Sequence, residues 1–253
     1  MKKLLTEDRV IIHYDQGQDY AFDGCMAYVM ECLNESPDYD FWFFGGVSGD
    51  SHTQVYLDDL DNRTMDLAHS FFDRQLMKRV FDAVGYSYDF VDPADLSADF
   101  EFWKKRIIAS IDRGVPVVIK GFGTGSCSRL NIGCIVGYDD VNSEFYYITQ
   151  RNREPKTFTL ERDYTMVIVK DKIANPDLSE TYRKAIFNIA ALNTRPPENG
   201  YYFGSRAFEE WAAGIENGKY DDYPDEKMDL WAHYAQYLVI MSTNICGQHF
   251  TNR

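Results

Sequence analysis

The sequence predicts an α+β fold: a helix carrying a cysteine, packed on an antiparallel sheet and followed by a helical extension. Three observations predict it. Asp23-Gly24-Cys25 opens a segment in which Met26, Val29, Met30 and Leu33 fall at the i, i+3, i+4, i+7 spacing of a buried helical stripe. Four short β-rich runs, residues 115–119, 132–136, 145–148 and 165–169, are then separated by Gly, Asp and Asn turns, the pattern of an antiparallel sheet. Beyond Lys170 helical spacing returns, so the division expected is 1–172 for the α+β domain and 173–253 for a helical extension packed on it.

Taken in order, residues 9–14 (RVIIHY) form a strand-like run, and Gly17, Asp19 and Asp23 lead into the cysteine helix. A second helix is predicted over residues 66–84, capped by Asp66 and stopped by Gly85, with Leu67, Phe71, Phe72, Leu76 and Val80 inward. A third covers 98–113, with Phe100, Trp103, Ile107 and Ile111 on one face. The glycine-rich residues 121–128 lie between two strands rather than before a helix. They lack a Gly-Lys-Ser/Thr element, so they are a strand connection and not a phosphate cradle. Helices follow over 178–193 (Tyr182, Ile186, Ile189), 204–217 (Phe208, Trp211, Ala212, Ile215) and 225–246, the last two separated by an acidic linker containing Pro224.

Composition narrows the function. Twenty-six basic against forty acidic residues give a net charge of −14, which repels nucleic acid and anionic membrane surfaces. No apolar run has the length of a signal peptide or a membrane span, so the expectation is a soluble cytoplasmic protein. The five cysteines (Cys25, Cys32, Cys127, Cys134, Cys246) are odd in number and scattered, without CxxC or Cys/His metal spacing. No disulfide framework, metal or cofactor is expected. The aromatics, 15% of the chain, suit core packing, a pocket or a subunit contact in a homo-oligomer.

Cys25 is the residue with a chemical signature, because a thiol at a helix N-terminus gains thiolate character from the helix dipole. The cysteine helix, the strand from Gly114, the strand ending in Gly137-Tyr138-Asp139 and the run 145–148 together resemble the papain-like cysteine-peptidase fold of the C39-like type. They also resemble the butirosin-biosynthesis H protein N-terminal-domain family of acyltransferases. The resemblance covers residues 9–170, with residues 44–50 (FGGVSGD) as a second distinctive segment. Residues 200–204 and 208–211 are similar to helical extensions in bacterial members of that group. It implies a Cys25 nucleophile and a base six residues before Gly137, where this chain has Asn131, which cannot take a proton. Gln150 or Asn152 would fill the orienting position, and Gln16 and Gln18 are loose counterparts of an oxyanion glutamine. A standard Cys–His triad is therefore absent.

His52, on the loop after the apolar residues 41–44, is the substitute base to consider. His13, His69, His233 and His249 suit surface or packing roles. Two functions are open. One is a thiol-dependent acyltransferase or amidohydrolase using Cys25 and His52, acting on a small-molecule or peptide substrate with an acyl carrier as partner. The other is a catalytically degenerate relative that binds a small molecule or peptide in a cleft, with Asn131, Gln150 and Asn152 as polar contacts.

Overall fold

A computed structural model describes residues 2–57, 67–122, 131–219 and 221. Its centre is a seven-stranded sheet in which every paired strand is antiparallel. Six strands run in the order β3 (Tyr86–Val91), β8 (Thr165–Lys172), β4 (Val117–Phe122), β5 (Asn131–Asp139), β6 (Glu144–Thr149), β7 (Asn152–Phe158). The seventh, β1 (Lys2–Leu4), takes over the β4 side of β5 where β4 leaves it, with Leu4 opposite Gly137. The four predicted β runs are β4, β5, β6 and β8. Missing from the prediction were β1, β3 and β7. Charge and Pro155 hide β7, which tolerates them because it is an edge strand paired only with β6.

Helices cover both faces. Apolar residues of α1 (Ala21–Cys32), α2 (Phe41–Ser48) and α4 (Arg74–Val84) share a core with Val118, Ile132, Cys134 and Val136. Leu96 of α5 (Pro93–Ala98) and Ile107 and Ile111 of α6 (Phe100–Asp112) pack with Val117, Ile119 and Ile135 on the opposite face. The predicted second helix is divided. α3 (Leu67–Ser70) ends, and Asp73 caps a new helix by accepting the Gln75 and Leu76 N–H groups, both at 2.8 Å. Asp66 lies outside the described residues. Gly85, at φ 75°, terminates α4 as expected. α2 was not foreseen as a helix. It is apolar all round and all eight residues are buried, so the segment has no amphipathic period to read.

Residues 9–14 are not a strand. Arg9 donates its backbone N–H to the Arg153 carbonyl of β7 at 3.1 Å, and Ile11 and Ile12 press against α1. A Cβ on Gly24 would stand 2.2 Å from the Ile11 carbonyl oxygen, so the approach requires glycine.

The extension is woven into the body. Its α7 (Leu178–Asn193) sets Tyr182 edge-on against Phe43 at 5.9 Å, and Asn193 donates to the His52 carbonyl at 3.0 Å. β9 (Tyr201–Phe203) pairs with β2 (Val55–Leu57), and α8 (Ser205–Glu216) follows. Tyr182 faces the body as expected, beside Thr181, whereas Ile186, also expected inward, is 49% exposed. The predicted helix 225–246 lies outside the described residues.

Candidate functional site

α1 begins at Ala21, so Cys25 is its fifth residue, in the second turn rather than at the mouth. Its exposure is zero. Across from it on β5 stands Cys134, also fully buried, whose sulfur lies 3.9 Å from the Cys25 carbonyl oxygen. Burial pushes the Cys134 thiol well up, and the neighbouring Cys25 side chain adds to the rise. Tyr28 and Cys32 continue along the same side of α1. Burial raises both, the Cys32 thiol to about 11 despite a hydrogen bond with Tyr28. At Cys134 and Cys32 burial outweighs the nearby Arg9 guanidinium, so both thiols favour the protonated form.

Asp23 precedes Cys25 by two positions, about 200° around the helix, and faces α2 instead. It is completely buried, and its carboxylate and the Ser51 hydroxyl approach over Gly45. A Cβ there would lie 2.4 Å from Ser51 Oγ and 3.1 Å from Asp23 Oδ2. Ser48 at the end of α2 and Asp50, Ser51 and Thr53 in the tight turn after it are buried, and Asp50 Oδ1 accepts the Ala68 N–H at 2.8 Å. His52 sits in that turn, half-buried, its N–H bonded to the Gly49 carbonyl at 3.1 Å and its pKa lowered by burial. The His52 turn thus adjoins the Asp23 side of α1, while Cys25 adjoins β5. Sequence reasoning read Asp23 as the lead into the helix and gave Ser51 no role; the available signal was the run of short polar residues at 48–53, one residue after Gly45-Gly46.

Asn131 opens β5 opposite Phe122, and its side chain lies outside the description. Gln150 is half-buried in the β6–β7 turn. Asn152 serves that turn structurally: its Oδ1 accepts the Thr149 hydroxyl at 2.7 Å and its Nδ2 donates to the Tyr147 and Glu154 carbonyls. Gln18, the loose oxyanion counterpart, accepts the His13 N–H through Oε1 at 2.8 Å. Gln16 lies in a single 3₁₀ turn, Tyr14–Gln16.

Gln18 and Gly24 border an open groove of ≈ 560 Å³ between residues 9–18 and the α1–α2 connection. Its charged lining is Arg9, Glu31, Glu35 and Asp40, beside Tyr39 and Phe41. Arg9 pairs with Glu31 through both terminal guanidinium nitrogens, Nη1 and Nη2. Burial opposes the ionisation of Glu35, but hydrogen bonds from Lys172 and the Tyr86 hydroxyl outweigh it and hold the carboxyl below its usual range. A larger cavity, ≈ 680 Å³, lies between α4 and α7. Its rim charges already neutralise one another, Lys78 with Asp82 and Lys184 with Glu180, and the Arg79 guanidinium is turned onto the Val47 and Ser48 carbonyls.

Among the described residues no group of three or more His, Cys, Asp or Glu side chains is placed to hold a metal ion, and no helix is long and apolar enough to cross a membrane. The architecture defines a mixed α+β protein with an antiparallel sheet, helices on both faces and a groove beside the first helix. No family model, curated protein or solved structure matches the chain.

Proposed function

We propose that this protein is a non-catalytic relative of the papain-like group that binds a small molecule or short peptide carrying positive charge in the groove beside α1. The observation that carries this reading is the position of Cys25: it has zero exposure and faces a second buried thiol. A nucleophile must meet its substrate and be deprotonated by a base, and His52 adjoins the other side of α1. The groove, by contrast, is open and within the size range of small-molecule sites; its three carboxylates, Glu31 (paired with Arg9), Glu35 (paired with Lys172) and Asp40, outnumber the two cations that meet them. The surplus of negative charge favours a cation. Gln150 and Asn152 are not among its described lining residues, so the polar contacts expected from the sequence give way to Gln18, Glu31, Asn34 and Asp40.

Thermal unfolding with added spermidine or citrate tests the reading. Spermidine should raise the melting temperature of the intact chain and citrate should not, and Glu31→Gln should weaken the spermidine effect. No shift with spermidine, or an acyl-transfer or amidase activity that Cys25→Ala abolishes, would overturn it.

A further inference from the structure

The groove beside α1 already holds a cation of its own. The Arg9 side chain sets Nη1 and Nη2 on the two carboxylate oxygens of Glu31, with Nη1 2.8 Å from Oε1, and its guanidinium carbon stands 4.6 Å from the centre of the Tyr28 ring. A fork laid on a carboxylate and a plane laid on an aromatic face suit a guanidinium, whereas an ammonium is a point charge that meets neither in this form. Tyr28 and Glu31 are i and i+3 on α1, so one rigid helix fixes both parts of the cradle on the same side.

Arg9 is a weakly held occupant. The Glu31 side chain is 61% exposed, so the two form a surface pair, which contributes little. Arg9 Nε is buried with no acceptor among the described residues, a donor whose desolvation nothing offsets. The backbone here does not depend on the side chain: the Arg9 N–H donates to the Arg153 carbonyl at 3.1 Å, and Arg153 pairs with Asp8 through Nε and Nη2, both at 2.9 Å. The side chain can therefore leave the cradle while the wall that carries it stays in place. Resting on the cation-binding reading of this groove, we infer that its ligand presents a guanidinium group, which displaces Arg9 and takes over the Glu31 carboxylate and the Tyr28 ring face. Arg9 is then a tethered competitor that fills the cradle until such a ligand arrives.

Isothermal titration calorimetry of the intact chain with agmatine and putrescine tests this, because the two share an aliphatic chain and a net charge and differ in guanidinium against ammonium. Arg9→Ala should gain about fivefold in agmatine affinity over wild type, as loss of a weakly held internal competitor requires, and clearly less in putrescine affinity. Adding Glu31→Gln to Arg9→Ala should erase the preference for agmatine. If Arg9→Ala does not fold, Arg9→Lys, which keeps the charge and loses the fork, carries the same comparison. Equal gains for the two ligands would show that Arg9 acts through its charge alone and would overturn the inference. So would an unchanged or lower agmatine affinity in the Arg9 variant, or a preference that survives Glu31→Gln. A spermidine shift in wild type alongside any of these results leaves the groove a cation site without guanidinium selection, whereas no shift and no binding of either ligand removes that reading as well.

Discussion

The Cys134 sulfur lies 3.9 Å from the carbonyl oxygen of Cys25, so the residue that meets the cysteine helix from β5 is another thiol and not a base. Buried sulfur opposed to buried sulfur behaves as packing, since Cys ranks among the most buried residue types, and burial raises the Cys134 thiol against the pull of Arg9.

The first prediction concerns thiol reactivity. In brief iodoacetamide labelling of the folded protein, mapped by mass spectrometry, Cys25 and Cys134 should stay unmodified until the protein unfolds. Half-buried Cys32 should react slowly at neutral pH, because its pKa is pushed up to about 11. Its rate should rise about tenfold per pH unit below that value, following the thiolate fraction. Fast labelling of Cys25 at pH 7 would contradict this.

Gly45 and Gly24 give a contrast of sign. Alanine in place of a helical glycine gains about 1 kcal/mol in propensity, against an overpacking cost of about 1–3 kcal/mol. At Gly45 the tightest neighbour is Ser51 Oγ, so Gly45→Ala should destabilise the wild type. It should become neutral or stabilising in a Ser51→Ala background, a coupling that a double-mutant cycle in urea measures. At Gly24 the neighbour is the Ile11 carbonyl oxygen, which no side-chain change removes. Gly24→Ala should therefore destabilise in both backgrounds, and equal effects at the two glycines would refute the geometry.

Glu35 predicts a pH dependence. Its folded pKa is lowered by Lys172 and Tyr86 against the opposing effect of burial, so it binds fewer protons folded than unfolded. Its stabilising contribution is complete above the unfolded value of about 4.3 and is lost as pH falls through the lower folded value. Urea midpoints of wild type and Glu35→Gln should differ by a constant amount above about pH 6 and converge in acid. A difference that persists unchanged at low pH would exclude the ionised pair as its cause.

Asn193 joins the end of α7 to the turn after α2, donating to the His52 carbonyl at 3.0 Å and to that of Ile189 at 3.0 Å while accepting from Gln54 N–H at 3.4 Å. Asn193→Ala leaves these part-buried groups without that partner and should cost about 1–3 kcal/mol. The loss should be read in the equilibrium unfolding of the whole chain as one transition. A separate, earlier transition of the extension would show that this junction is not integral.

The sequence by itself determined the α+β class, the four central strands of the sheet, the cysteine helix with its inward Met26, Val29 and Met30, and the glycine stop at Gly85. Each is written in local code: an apolar period of two or of 3.6, or a positive φ that favours glycine. Only the tertiary structure decided the rest. Residues 9–14 have strand composition, but Ile11 and Ile12 seal the first helix instead, where the Ile11 carbonyl closes on Gly24. α2 is buried on every side and shows no period, and β7 carries charge and proline because it lies at an edge. Spacing in the sequence put a thiol at a helix start, but which way it faces depends on the rotation of α1 against β5. That rotation sets Cys25 on Cys134, turns Asp23 to Ser51, and leaves the groove, not the thiol, open to solvent.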